Sequence, residues 1–251
     1  MTSAVVTRGL PPLILGVVAF VLWEVIVELA NIQPYLLPAP SAIFAQVAMV
    51  GPAIVSATLA TGSNALIGLL AGGIFAIVFA LIASRLTVLD ELIAPIVAAI
   101  AVVPIVALAP ILTNMFGATS ETPRRLIVAI VVFVPVFVNT LRGLRQVLPV
   151  HRDLMRAYAA TNWQLTRTVT FPGALPYIFT GFTIASSLAV ISAVVAEYFG
   201  GLQNGLGSRI TSAAANSAYP RAWAYVGGAI LLGLIFFVVT LTFERLANRR
   251  R

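Results

Sequence analysis

Six long apolar runs divide the chain, and shorter polar segments separate them. The runs cover residues 10–30, 65–84, 92–116, 126–141, 174–196 and 223–243. A helix needs about 20 apolar residues to cross a bilayer, so the pattern predicts an all-α, polytopic membrane bundle of about six transmembrane helices, forming one domain over residues 1–251. The first run lacks an Ala-x-Ala cleavage site, and we expect it to be retained as a span.

Glycine and proline modify this simple picture. The second run is rich in glycine, at spacings that let helix backbones approach closely. Before it, residues 31–60 predict an extended turn that leads into a helix, with Ser41 as the N-cap. The third run cannot be one straight helix. Its prolines either make tolerated kinks or break a pore-facing helix, and they are Pro95, Pro104 and Pro110.

Composition supports a membrane protein and excludes several kinds of chemistry. Charged residues make up 9% of the chain and the mean hydropathy is +1.03, whereas a soluble domain carries about 25% charged residues. All 15 basic residues are arginine, so P-loop and Schiff-base sites, which need lysine, are excluded. With no cysteine and only one histidine, His151, we expect no cofactor or metal site in this chain.

The arginines are distributed unevenly between the two sets of loops. If the amino terminus is inside, most of them fall on the cytoplasmic side, as the positive-inside rule requires. Both termini are then cytoplasmic, and the charges indicate topology rather than nucleic-acid binding. The outer set is Arg124, Arg125, Arg209 and Arg221, and the inner set is Arg8, Arg85, Arg142, Arg145, Arg152, Arg156, Arg167, Arg245, Arg249, Arg250 and Arg251.

A polar insert at residues 142–171 separates the fourth and fifth runs, and it is too charged to cross a bilayer. Asp153 begins a run of helix formers, at the position where the helix dipole favours negative charge. Thr161 and Asn162 are residue types that cap helix amino termini. The insert therefore predicts two short helices on the membrane surface, broken near Ala160. On composition alone, an ordinary loop is an equal alternative.

Part of this insert resembles the cytoplasmic signature of binding-protein-dependent ABC importer permeases, which reads Glu-Ala-Ala, three residues, Gly, and about nine residues to Leu-Pro. The matching residues are Asp153-Leu154-Met155, Ala159 and Phe171-Pro172-Gly173-Ala174-Leu175-Pro176. Residues 156–165 are similar to the nitrate, sulfonate and taurine branch. Asp153 stands where Glu is usual, and Ala159 stands where Gly is usual, although alanine disfavours a positive φ. Two other segments also resemble this branch, and they are Leu37-Pro38-Ala39-Pro40-Ser41 and Gly205-Leu206-Gly207.

The resemblance implies the fold of a type I ABC importer permease, which moves a small solute across the bacterial inner membrane by alternating access. It also implies the partners: a second permease copy, two cytoplasmic ATPase subunits that carry ATP and magnesium, and an external substrate-binding protein. This chain would perform no covalent chemistry, so we do not expect an enzyme. The insert would contain the coupling helix, and the residues implied to contact the ATPase are Asp153, Arg156, Ala157, Tyr158, Ala159, Ala160, Thr161, Asn162 and Trp163.

Four residues are candidates for the pathway or its gate. Pro104 lies in the proline-rich third run, and Asn139 lies in the fourth. Glu197, at the outer end of the fifth run, is either an interface carboxylate without a partner or part of an outer gate paired with Arg209.

Two other classes of protein compete with the importer. A secondary transporter or passive channel is one, but the acids Glu24, Glu28 and Glu197 all lie near predicted span ends, which argues against proton coupling. A membrane-embedded enzyme is the other, and it would have few catalytic residues to use. The solute is not specified by this sequence; the branch includes carriers of nitrate, sulfonates, taurine and pyrimidine-type vitamin precursors.

Overall fold

The computed structural model describes the backbone of residues 2–85 and 89–248, and the side chains of residues 11, 14–85 and 95–247. All regular structure in these ranges is helical, which confirms the predicted all-α class. Some of the arginines predicted to be cytoplasmic lie outside the described residues. They are the side chain of Arg8 and the tail residues Arg249, Arg250 and Arg251. The described helices are α1 (Thr2–Leu29), α2 (Pro40–Ala83), α3 (Leu89–Ala101), α4 (Ile105–Phe116), α5 (Thr122–Arg145), α6 (Pro149–Ala157), α7 (Asn162–Leu165), α8 (Phe171–Tyr198), α9 (Leu206–Ala215) and α10 (Tyr219–Asn248).

The long helices correspond to the predicted apolar runs. Among the described residues, α2, α5, the continuous helical stretch Asn162–Tyr198 and α10 are long and apolar enough to cross a membrane. The segment Pro95–Ala101 of α3 and the helix α4 are bent by 81° relative to each other, and together they form either a broken span or a re-entrant loop. α1 corresponds to the first run, and its side chains are described continuously from Ile14. The shorter helices α6, α7 and α9 lie in the polar segments.

α2 is longer than the predicted second span, because the helix begins at Pro40 instead of residue 65. A local departure from helical geometry at Val50 (φ −113°, ψ 19°) precedes Pro52. Proline lacks the N–H that would continue the hydrogen-bond ladder, and its ring crowds the preceding turn. The helix therefore kinks at this point and then continues to the far end of the bundle.

The predicted N-cap role of Ser41 was wrong, because Ala39 holds the cap position of α2. The backbone N–H and the hydroxyl of Ser41 instead donate to the Glu24 carboxylate, at 2.9 and 2.6 Å. The rings of Trp23 and Trp223 also meet edge to face, with their centroids 5.7 Å apart. These contacts attach α1 to α2 and α10.

Only one of the three prolines in the third run breaks it. Pro104 occupies the N-cap position of α4 with an extended backbone (φ −73°, ψ 106°), between the end of α3 at Ala101 and the start of α4 at Ile105. Pro95 and Pro110 lie inside their helices. Of the two alternatives, tolerated kinks or a broken helix, the structure has the break, and it is localised to residues 102–104.

Both ends of α5 differ from the boundaries predicted from the sequence. Residues 119–125 look like a loop in the sequence, but α5 begins at Thr122 and so includes Arg124 and Arg125 in its first turn. At its other end α5 continues to Arg145, and Pro176 lies inside α8. Neighbouring helices cover these turns, so helical backbone is tolerated where the residue types alone disfavour it.

α5 packs between α2 and α8, and small residues bring the backbones together. A Cβ added at Gly72 would lie 2.4 Å from the carbonyl oxygen of Ala129, and one added at Gly181 would lie 3.1 Å from the Cα of Val136. Such close approach is typical of membrane helices, where packing rather than the hydrophobic effect drives association. The predicted role of the glycines in the second run is confirmed at this position.

Candidate functional site

The insert between α5 and α8 exposes much apolar surface for a segment that is polar in sequence. Tyr158 is 78% exposed and Trp163 is 65% exposed, and more than half of Leu154 is exposed as well. The ion pair between Asp153 and Arg156, at 3.5 Å, is also exposed, so it contributes little to stability. Large exposed apolar side chains rimmed by charge indicate an interaction surface.

A Schellman motif closes the end of α6. The N–H of Ala160 donates to the carbonyl of Met155 at 3.0 Å, and the N–H of Ala159 donates to that of Arg156 at 2.8 Å. Ala159 has a φ of 53°, which is the left-handed conformation that the motif requires. The chain thus keeps the bend without glycine, at a cost of about 1–2 kcal/mol for a residue with a Cβ.

A capping box opens α7 directly after this turn. The Thr161 hydroxyl accepts from the N–H of Gln164 at 3.3 Å, and the side-chain oxygen of Gln164 accepts from the N–H of Thr161 at 2.7 Å. Asn162 is the first helical residue. The predicted pair of short helices and the predicted N-cap Thr161 are therefore confirmed, and Tyr158 and Trp163 stand on either side of the turn. The expected start of the first helix at Asp153 was wrong, because α6 begins at Pro149.

Replacing Ala159 by glycine is expected to stabilise the turn, because glycine adopts a positive φ without steric cost. Trypsin cleavage after Arg156 in the folded protein should slow about fivefold, corresponding to ~1 kcal/mol. The matched control is Ala157→Gly, which places glycine at a helical position and should speed the same cleavage. Equal acceleration by both substitutions would show that the bend at residue 159 carries no strain.

α7 runs into α8 without an interruption of the helical backbone. A π-helical turn, Thr166–Thr170, connects them, and α8 starts at Phe171. Arg85, after the end of α2, donates to the Thr166 hydroxyl at 3.2 Å, and Gln146 donates to the carbonyl of Gly173 at 2.7 Å. A displacement of α7 would therefore move α8 and, through Arg85, α2.

A buried charged cluster lies at the opposite end of α5, against the connector between α8 and α9 (residues 199–205). Arg124 is 2% exposed. Its Nη1 donates to Glu121 at 3.0 Å and to Asn204 at 2.7 Å, and its Nη2 donates to the carbonyl of Leu202. Asn204 donates in return to Glu121 at 2.8 Å. Arg124 thus holds the connector against the first turn of α5.

Asn64, midway along α2, extends this Arg124 cluster. Its amide donates to Glu121 at 2.7 Å and accepts from Nε of Arg125 at 3.0 Å. Burial alone would raise the pKa of Glu121, but hydrogen bonds from Asn204 and Asn64 and the charge of Arg124 hold that pKa below its usual value. Glu121 is therefore ionised at neutral pH, and its contribution to stability is lost as the pH falls through its lowered pKa.

Glu197 lies next to this cluster and is 1% exposed. Its Oε2 accepts from the Thr61 hydroxyl at 2.8 Å and from the N–H of Gly207 at 3.0 Å, and Thr61 accepts from the N–H of Leu206 at 2.8 Å. The predicted pairing with Arg209 was wrong, because Arg209 is exposed on α9. The alternative of an interface carboxylate without a partner was wrong too, because Glu197 is buried and has two donors. One of them is an N–H group at the start of α9, which has no acceptor within its own helix.

A second pair of helices is joined by polar contacts that the sequence did not predict. Glu244, which follows the sixth apolar run, lies within α10 and accepts from Thr180 at 2.6 Å and from Thr183 at 2.8 Å, both on α8. One turn earlier, Thr240 donates to Ser186 at 3.0 Å. Hydrogen bonds of this kind strengthen helix association in membranes.

The remaining candidates, Pro104 and Asn139, keep local surroundings. The break at Pro104 borders an apolar cavity of about 250 Å³, which Val103, Ile105 and Pro135 help to line. Asn139 donates to the carbonyl of Pro135 at 2.8 Å, so its amide is used within α5. A role for either residue in the pathway stays a prediction.

The residues that hold α5, α8 and α9 together were not predicted from the sequence. Thr61 and Asn64 interrupt an apolar helix, and this was a usable signal, because unpaired polar groups are unfavourable in a membrane. Glu121 and Arg124 are three residues apart, a spacing at which helical side chains meet. Nothing in the sequence indicated that the backbone carbonyl of Leu202 would also accept a hydrogen bond from Arg124.

Comparison with known proteins agrees with this arrangement of helices and loop. A profile of the family described as "Binding-protein-dependent transport system inner membrane component" matches residues 68–251. The chain belongs to this family. The match includes the whole insert, the first turn of α5 and the α8–α9 connector.

The permease is similar in sequence to several characterised members. It is 30% identical over 243 residues to the "Riboflavin transport system permease protein RibX" of Chloroflexus aurantiacus, covering 96% of this chain and 89% of that one. It is 27% identical over 239 residues to the "Taurine transport system permease protein TauC" of Escherichia coli, covering 92% and 85%. The predicted nitrate, sulfonate and taurine branch is thereby confirmed.

The fold of the permease matches a solved transporter. The structure titled "Inward facing conformations of the MetNI methionine ABC transporter" has a TM-score of 0.62 and 17% identity, covering 77% of this chain and 95% of that one. That likeness shows the fold. The family and the sequence relatives show that the permease is a membrane-spanning subunit of an ABC importer, a multi-pass inner-membrane protein and a transport subunit rather than an enzyme. Family membership sets aside the secondary-transporter, channel and membrane-enzyme alternatives.

Proposed function

We propose that the permease carries a small solute, released by an external binding protein, by alternating access that is driven by two ATPase subunits docked on the α6–α7 turn. The observation that carries this proposal is the exposed pair Tyr158 and Trp163 on a turn that is ordered by its own hydrogen bonds. ATP and magnesium would be held by the ATPase subunits, and this chain would need no cofactor.

The α6–α7 turn is well suited to dock a partner. Aromatic side chains often dominate the binding energy of protein interfaces, and Tyr158 and Trp163 are free to be buried. Because the Schellman motif and the capping box already order the turn, little further conformational entropy is lost on binding. The small residues Ala157, Ala159 and Ala160 would let a partner approach the backbone.

The same turn can transmit motion into the bundle. α7, the π-helical turn and α8 form one continuous helical stretch of 37 residues, Asn162–Tyr198. Arg85 links this stretch to α2 through Thr166. ATP would shift the equilibrium between inward-open and outward-open forms by binding one arrangement of the ATPase subunits more tightly.

A second copy of the permease would complete the pathway. Val102, within the α3–α4 break, is 78% exposed, and the break lies beside the middle of α5. Irregular backbone is not tolerated against lipid and must be covered by protein or line a water-filled cavity. We propose that the partner copy and the pathway cover this break, and that Pro104 lies at their boundary.

The named relatives do not define a single class of solute. The names of RibX and TauC assign them riboflavin and taurine, two solutes that differ greatly in size. The apolar cavity beside the break offers no charged side chain for recognition. We propose that the external binding protein, and not this pathway, sets most of the selectivity.

One labelling experiment tests both the orientation and the docking site. Asn162→Cys introduces a single thiol at an exposed position of a chain without cysteine. We expect an impermeant maleimide to react with it only from the cytoplasmic side, and about tenfold more slowly once the ATPase subunits are bound, because docking buries the turn.

Asn216→Cys, exposed after α9, is the matched control. It should react from the outside whether or not the ATPase subunits are bound. Reaction of residue 162 from the outside would refute the orientation, and unchanged reactivity in a complex with verified ATPase stoichiometry would refute docking on this turn.

A further inference from the structure

Two buried polar atoms beside the connector have no hydrogen-bond partner within the described part of the chain. They are Nε of Arg124, a donor, and Oε1 of Glu197, an acceptor. Both side chains are almost fully buried. Arg124 and Glu197 are also near enough for their charges to interact. An unused donor and an unused acceptor therefore lie near each other beside the connector.

The connector passes directly over both groups. A Cβ added at Gly205 would lie 2.2–2.3 Å from the carboxyl atoms of Glu197, and one added at Gly201 would lie 3.4 Å from Nη2 of Arg124. Gly201 has a φ of 86°, a conformation that glycine adopts without strain. The connector thus lies against both side chains. It occupies the space through which Arg124 and Glu197 would come into direct contact.

An opening that moves the connector away from α5 has to break the Arg124 cluster. The cluster bonds together α2, α5 and the connector, whereas Glu197 bonds α8 to α2 and α9. A buried guanidinium that loses its partners is costly unless it finds another acceptor. Oε1 of Glu197 is a free acceptor that is already buried nearby.

We propose that Arg124 is a positioning residue that exchanges partners during transport. Glu121, Asn204 and Leu202 hold it in the present conformation, and Glu197 receives it when the connector moves away. This proposal rests on the proposed function, since the movement is the opening of the outer side. Glu121 then stabilises the closed outer side, and Glu197 stabilises the open one.

The two carboxylates therefore predict opposite effects. Glu121→Gln weakens the closed arrangement and should shift the population towards the open one. Glu197→Gln can keep its acceptor for Thr61 and Gly207, but it replaces the free acceptor by an amide donor. That change should leave the closed arrangement intact and disfavour the open one. A purely structural role would make both variants less stable in the same direction.

The experiment uses a single reporter thiol in the complex of permease and ATPase subunits, in proteoliposomes. Leu206→Cys is fully buried behind the connector, and its reaction with a maleimide reports opening. We expect magnesium ATP with orthovanadate to accelerate the reaction. Glu121→Gln should raise the resting rate about fivefold or more, and Glu197→Gln should lower the vanadate-trapped rate by a similar factor.

A second readout and a control complete the test. Basal ATP hydrolysis without a binding protein should rise in Glu121→Gln and fall in Glu197→Gln. Gln203→Ala, an exposed change within the connector, should alter neither readout. Arg124→Gln should abolish the difference between resting and trapped rates.

The outcomes separate the two proposals. If the trapped nucleotide accelerates labelling in the wild-type complex, and both carboxylate variants behave like the wild type or shift in the same direction, the partner exchange is refuted and the proposed function stands. If the wild-type reporter does not respond to trapped nucleotide, the outer side does not open with ATP, and both proposals are refuted.

Discussion

Tyr158→Ala is expected to uncouple the permease from its ATPase subunits while leaving the permease itself folded in the membrane. The ring is largely exposed in this chain, so its removal costs the bundle little. At an interface, truncation of an aromatic anchor costs about 2 kcal/mol or more, which weakens binding by roughly thirtyfold. Solute uptake and ATPase co-purification should therefore fall together, at unchanged membrane abundance.

Two companion variants make this result specific. Tyr158→Phe keeps the ring and should retain nearly wild-type uptake. Ala159→Trp adds bulk at the centre of the turn and forces a large side chain into a left-handed backbone conformation, so it should fail as Tyr158→Ala does. Wild-type uptake with both disruptive variants would mean that this segment is an ordinary loop.

Gly72→Ala should destabilise the bundle strongly for a change of one methyl group. The added Cβ would lie 2.4 Å from the carbonyl oxygen and 2.8 Å from the Cα of Ala129. Both atoms belong to the backbone of α5, so α2 and α5 must move apart. Overpacking of this kind costs about 1–3 kcal/mol. We expect a lower midpoint of thermal unfolding in detergent and less monodisperse protein.

Gly227→Ala is the matched control for this change. Gly227 also lies in a long helix, and a Cβ added there has no atom within 4 Å. Alanine favours helix more than glycine does, so this variant should be as stable as the wild type or slightly more so. If the two variants had the same unfolding midpoint, close approach of α2 and α5 would not limit stability.

Much of the loop could be predicted because its signals are local. An N-cap depends on residues within one turn of each other, and Thr161 carries that signal in the sequence. Asp153, expected at the start of a helix, lies inside α6 instead, because that helix begins at Pro149. The conformation of Ala159 could not be predicted this way. Its intrinsic preference opposes a positive φ, and only the hydrogen bonds of Ala159 and Ala160 to the end of α6 outweigh that preference.

The boundaries of the spans were less predictable for a related reason. Hydropathy identified where apolar helices lie, but Pro40 and Thr122 begin helices earlier than the apolar runs do. A polar or proline-containing turn remains helical when neighbouring helices satisfy its side chains. Arg124 is the clearest case, because its partners come from the connector as well as from its own helix.

The sequence by itself determined the membrane class, the apolar spans and the pair of short helices in the insert, because each follows from local composition or short-range hydrogen bonding. It left the break near Pro104 as one of two alternatives. The tertiary structure decided the partners of the buried charges. Glu197 meets Thr61, 136 residues away, and Arg124 meets Asn204, 80 residues away. A buried charge takes the acceptor or donor that folding brings within 3 Å, and sequence distance carries no information about which one that is.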